Sequence, residues 1–202
     1  QFNPVWSDAC TGETGTILPL PINLAFIGSD DGTLVLETDN PTDEADPFNA
    51  LGSLDGWSTN APINFTFSST VDASTVVGNQ GSGGPTPTVR VFQIRLSQLY
   101  PFPTSARVDP ADPPTELIEG VDYEVRVKRI EEAYNDFADN CVSKIREKDG
   151  VEIIPLHPLE SGTSYLVGVT NGIIDSEGYP IESDVVYRIA QGGDALTDKY
   201  GN

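Results

Sequence analysis

The side chains able to do chemistry in this chain are few and scattered. It has one histidine, His157, set in Pro155-Leu156-His157-Pro158-Leu159. A Ser-His-Asp relay needs a histidine oriented to take the serine proton, and a proline-flanked turn is a poor place for one. The strand-to-helix elbow G-x-S-x-G that presents a nucleophilic serine is missing. Gly28-Ser29-Asp30-Asp31-Gly32 and Gly81-Ser82-Gly83-Gly84 have other spacings and read as loops. There is no H-E-x-x-H, no phosphate-binding G-x-x-x-x-G-K and no dinucleotide G-x-G-x-x-G. The 31 acidic residues offer many carboxylate pairs of the kind glycosidases use, but only proximity in space defines such a pair. No catalytic residue and no cofactor-binding residue is therefore assigned.

Three other groups carry weaker chemistry. Asp30, Asp31, Asp39, Asp43, Glu44, Asp46, Asp109 and Asp112 place hard oxygens on loops, as calcium requires, without the twelve-residue spacing of an EF-hand. Asp30, Asp31, Asp43 and Asp46 are the calcium candidates among them, against the plainer reading of solvated acidic loops. Trp6, Trp57, Tyr100 and Phe102 sit in loop or turn context, where an exposed ring can stack on a sugar. Trp57 is the stacking candidate, and its neighbours Leu54 and Ile63 make a packing role the stronger reading. The two cysteines, Cys10 and Cys141, lack the C-x-x-C spacing of zinc or redox sites. They are a candidate disulfide tying the N-terminal segment to the rest.

The elements that must position these residues are strands. Ile63, Phe65 and Phe67 alternate with Asn64, Thr66 and Ser68, the period of a half-buried strand. Thr88 to Leu96 is strand-prone, with a slip of apolar phase between Val91 and Phe92 that predicts a bulge or burial on both faces. Val121, Tyr123, Val125 and Val127 alternate with polar residues. Val151–Pro155, Tyr165–Thr170 and Val185–Ala190 complete the set. Thr33–Glu37 reads as a strand returning from the Gly28–Gly32 turn. Residues 39–47 are an acidic loop, 78–87 a flexible loop and 101–116 an irregular proline-rich run. Ile130, Tyr134, Phe137, Cys141 and Ile145 recur at steps of three or four, which predicts a short amphipathic helix in an insert; an inserted loop is the alternative. Tyr165, just after a tight turn, is expected to bond back to that corner.

Short strands between turn signals, without alternating helices, predict an all-β protein, an immunoglobulin-like β-sandwich. Residues 1–60 read as an N-terminal extension packing on it, 61–191 as the sandwich and 192–202 as a linker. The net charge is -20, which disfavours nucleic acid and anionic lipid headgroups. No run approaches the ~20 apolar residues that span a bilayer. A first residue of Gln1 and the absence of Met lead to the reading of a segment excised from a longer protein.

Several stretches together carry a resemblance. They are Leu18-Pro19-Leu20-Pro21-Ile22-Asn23-Leu24-Ala25-Phe26, Asp31-Gly32-Thr33-Leu34, and Leu54-Asp55-Gly56-Trp57-Ser58-Thr59-Asn60-Ala61-Pro62-Ile63. Thr88-Val89-Arg90-Val91-Phe92, the Pro155–Leu159 run and Gly162-Thr163-Ser164-Tyr165-Leu166-Val167 through Gly178 follow. In this order they resemble the N-terminal domain of bacterial virulence-factor lipases, a group that includes surface-exposed lysophospholipase lipoproteins. The resemblance implies a C-terminal α/β-hydrolase domain, in the same polypeptide, that carries the nucleophile. It also implies export, to the outer membrane as a lipoprotein or into the medium. It places no catalytic motif on this chain. The expected role is a non-catalytic spacer or presentation domain. The alternatives are a carbohydrate- or protein-binding surface module, with a glycan or lipid partner, and a carboxylate-based hydrolase.

Overall fold

A computed structural model describes residues 5–7, 14–16, 21, 26, 28–35, 42, 43, 45–96 and 108–182. The Val185–Ala190 strand, the 192–202 linker, Cys10, Asp39, Glu44, Tyr100 and Phe102 lie outside the described residues. The protein is mostly strand. In chain order the elements are β1 (Val5–Ser7), β2 (Thr14–Thr16), α1 (Pro47–Gly52), β3 (Ile63–Thr66), β4 (Val89–Ile94), β5 (Thr115–Glu116), β6 (Tyr123–Asp136), β7 (Val142–Pro155) and β8 (Ser164–Val169). β1 and β2 pair with each other. The rest form two three-stranded antiparallel sheets, β3-β7-β6 and β5-β4-β8.

The alternating sequence of each strand explains what it buries. Ile63 and Phe65 of β3, Val151 and Ile153 of β7, Tyr123 of β6, and Val89 and Val91 of β4 enter one cluster with Phe67, Val71 and Ile173. That cluster joins residues of both sheets, so each sheet covers the apolar face of the other. The chain crosses from one sheet to the other after β3, after β5 and after β7, while β4–β5 and β6–β7 each stay within one sheet; the three crossings run over the core. One crossover is pinned by Asp149, whose side chain is 2 % exposed. Its Oδ2 accepts the Val71 N–H at 2.8 Å and its Oδ1 accepts Arg129 Nε at 2.6 Å. Its own backbone carbonyl accepts from Phe67 N and its N–H donates to Ser69 O.

Two expectations need correction, and a third is decided between its alternatives. Residues 130–146 are not a helix or an inserted loop. They are the outer halves of β6 and β7, joined by a 3-10 turn at Phe137–Asp139, and the ladder runs without a break from Tyr123↔Pro155 to Asp136↔Val142. Thr33–Val35 is not a strand, although the Gly28–Gly32 turn before it forms, with φ of 87° at Gly28 and 86° at Gly32. Leu34 N bonds instead to Leu54 O, which ties the turn to the segment after α1. The phase slip in β4 is not a bulge. The β4–β8 pairing keeps one register from Val89↔Val169 to Ile94↔Ser164; the strand is covered on both faces, with Arg90 stacked over Phe92 on one.

Candidate functional site

The feature that departs most from a plain two-sheet body is the β6–β7 hairpin. Each strand has fourteen residues, while β3 reaches β7 only from Gly150 to Ile153. From Arg129 to Lys148 the two strands therefore pair only with each other and form an arm. Residues opposite one another share a face. The face that buries Val125, Ile153, Val127 and Val151 continues outward as Arg129/Asp149, Glu131/Glu147 and Ala133/Ile145. Ile145 is 70% exposed and Val142 50%.

With no core beneath it, the arm is held by cross-strand charge. Arg129 bonds both Glu147 and Asp149. Glu132 accepts from Arg146 and Lys148. Lys144 bonds Asp136 and Asp139, each at 2.8 Å. Burial alone would push the Glu132 carboxyl up, but Lys148 and Arg146 together hold it below its ordinary value. Asp136 is held down chiefly by Lys144. Arg146 also lies over the Tyr134 ring. At the tip Asn140 and Cys141 take left-handed φ of 51° and 61°, and Cys141 is disulfide-bonded. The Cys10 end of the expected pairing lies outside the described residues.

On the outer face of the same sheet, where β3 reinforces the hairpin, Gly150 leaves a gap. Asn64, Thr66, Lys128, Ile130 and Glu152 line a shallow groove of about 330 Å³ over it. Ile130 Cδ1 leans across and would stand 2.9 Å from a Cβ at Gly150. The groove mixes polar and apolar residues, Phe65 and Val151 among them.

The residues expected to do chemistry are not gathered here. His157 lies on the exposed turn after β7, its Nε2 3.3 Å from Asp122 Oδ1 and its Nδ1 3.4 Å from Pro158 O. Asp31 Oδ1 accepts from Thr33 N, Thr33 Oγ1 and Ser29 Oγ; the Thr33 bonds are the main reason its carboxyl lies below the usual range. Asp43 Oδ1 accepts Ala45 N. The carbonyl of Asp46 accepts Asn49 N and Ala50 N at the start of α1. Asp30 is exposed. Asp109 Oδ1 accepts Ala111 N, and Asp112 pairs with Arg95. Among the described residues no three such groups are close enough to hold a metal ion.

Trp57 is half-buried. It meets Phe26 edge to face, with centroids 6.3 Å apart, and its indole Nε1 is buried without a hydrogen-bond partner. Trp6 lies on β1. Tyr165 Oη accepts Glu160 N–H at 2.8 Å, the back-bond expected of a tyrosine behind a tight turn. No helix among the described residues is long and apolar enough to cross a membrane.

Sequence reasoning missed the ladder of the arm. Its signal was the run of mixed charge on both sides of Asn140, a residue that tolerates the left-handed turn. Compared with protein families, curated proteins and solved structures, the chain matches none.

Proposed function

We propose that this chain is an immunoglobulin-like, non-catalytic module of an exported bacterial lipase or lysophospholipase, which spaces or presents a hydrolase domain of the same polypeptide. The observation that carries the reading is the disulfide-tipped arm, laced by cross-strand ion pairs, on a two-sheet body. Apart from Glu131, its charged groups are engaged with each other, which suits a structural and contact role rather than proton transfer. His157 and Asp31 are likewise occupied in turns. The lipase part of the reading rests on the sequence resemblance alone.

The test is p-nitrophenyl ester hydrolysis by the purified 202-residue chain beside the longer protein. Activity in the longer protein only is the expected result. Turnover by this chain alone, lost on His157→Ala, would overturn the proposal. A second reading, a surface-binding module, is favoured by the groove over Gly150 rather than by Trp57, which is already packed on Phe26. Glycan-array binding lost on Lys128→Ala, with thermal stability kept, would replace the first reading with the second.

A further inference from the structure

The arm also leaves an edge whose charges specify a partner. Among the described residues β6 is the outer strand of its sheet, so one side of its backbone has no ladder there. A free strand edge is a template for another strand, and charged side chains along it are a usual defence against an arbitrary partner. The charges on β6 are of both signs, so they can be matched by a strand of complementary order. β6 carries Lys128-Arg129-Ile130-Glu131-Glu132, a run whose signs reverse about Ile130. We propose that this edge pairs with β6 of a second copy of the chain, antiparallel and centred on Ile130.

In that register Arg129 faces Glu131 of the second copy and Lys128 faces Glu132. Two-fold symmetry repeats both contacts, so four opposite-charge pairs form and Ile130 meets its own copy. Opposite charges directly across a ladder stabilise it. Neighbouring registers lose this. Centred on Arg129 or on Glu131, the strand sets that charge against itself. Farther out, Val127 faces Ala133 and Arg126 faces Tyr134. Beyond them Glu124 would face Asp136, which limits the favourable overlap to residues 126–134.

Two more observations point to a copy of the same chain. Glu131 lies opposite Glu147 within the hairpin, and the ion pairs of the arm do not include it. Within the arm, residues 129–148, it is the carboxylate that no ion pair compensates, and Arg129 of a second copy answers it. The arm is also far less acidic than the chain as a whole, so two such molecules meet there with less repulsion. Residues 126–148 hold six of the chain's eleven basic residues and five of its thirty-one acidic ones. Like charges elsewhere raise the cost of approach.

The experiment is sedimentation velocity of the full chain from low to about 100 µM, the range in which weak strand-edge association becomes visible. The expected result is a concentration-dependent dimer that weakens with added salt. Glu131→Lys is the deciding variant. It places a lysine opposite Glu147, which favours the folded hairpin, while it turns two contacts of the dimer into repulsions. The dissociation constant should rise at least about tenfold with the melting temperature kept. A zero-length carbodiimide link between Lys128 and Glu132, scored between isotope-labelled and unlabelled chains, is expected as well. Within one strand four residues span about 13 Å, too far for such a link. A monomer throughout the concentration range, a dimer unaffected by Glu131→Lys, or the absence of the inter-chain link would each overturn the proposal.

Discussion

Replacing Asp149 by alanine should destabilise the fold by about 1–4 kcal/mol. Two bonds are lost. The Val71 N–H, on a residue only 6% exposed, is left without its carboxylate, and an orphaned buried donor costs about 1–3 kcal/mol. Arg129 loses one partner but keeps Glu147 and stays half in water, so that part is worth about 1 kcal/mol or less. The backbone bonds of Asp149 to Phe67 and Ser69 remain, so the strand itself persists. Asp149→Asn should cost less, about 1–2 kcal/mol, because its amide oxygen still accepts from Val71 while its NH2 end no longer suits Arg129. Urea unfolding of each variant, followed by far-UV circular dichroism with the disulfide intact, gives the comparison at constant m. An alanine variant within about 0.5 kcal/mol of the parent would refute the assignment of Asp149 as the pin of the crossover. So would an asparagine variant as unstable as alanine.

Three further outcomes follow from the packing and charge. Gly78→Ala should cost about 1–3 kcal/mol, since its Cβ would sit 2.9 Å from both Glu119 Cβ and the buried Tyr123 Oη; Gly150→Ala should cost less, because the atom in its way is the mobile end of Ile130, and melting curves of the pair settle the order. Tyr165→Phe should cost about 0.5–1.5 kcal/mol by freeing the Glu160 N–H, read from the same urea titration. Glu116, held below its ordinary value of 4.5 by the two-bonded Arg90 guanidinium, adds stability that is full above that value and is lost as pH falls through its folded-state pKa. Glu116→Gln should therefore flatten the fall in melting temperature below about pH 4.5 and leave the curve near pH 7 parallel to that of the parent.

The parts of the fold that were legible are those where one face of a strand is buried. Ile63 and Phe65, Val89 and Val91, and Val151 and Ile153 announce themselves by period two, because water on one side and core on the other select alternate residues. The arm was misread for the same physical reason. Its strands leave the core behind, so no single face is selected, and charge patterning replaces apolar patterning. Ile130 and Tyr134 are four apart, a spacing that satisfies a helix turn and also keeps both on one face of a strand. The arithmetic of the sequence could not separate the two. The partners that do, Glu132 with Arg146 and Lys148 or Asp136 with Lys144, are eight to sixteen residues apart and become neighbours only once the hairpin register is known. One helical turn was missed as well. Asp46-Pro47 is a good start for it, with proline at a first position where no N–H is needed, but six residues are too short to show a period. The ring partner of Trp57, Phe26, lies 31 positions away and had no local signature.

The charge distribution joins these points. An isolated two-stranded ribbon is marginal in water, so an arm without a core must be held by something else. Here it is held by ion pairs along its length and a disulfide at its tip. That solution concentrates the scarce basic residues of a strongly acidic chain on one element and spends nearly all of them internally. The consequence is not a basic patch but a nearly neutral rod on an anionic body. A free phosphate or headgroup finds no unpaired cation cluster there. A strand of matching alternation does find complementary charges, already fixed in register by the hairpin. The groups that keep the arm straight are thus the same ones that would decide what it touches. Substitutions in the ion pairs should therefore change stability and association together, whereas Glu131, which the ion pairs of the arm leave out, should change association with the melting temperature kept.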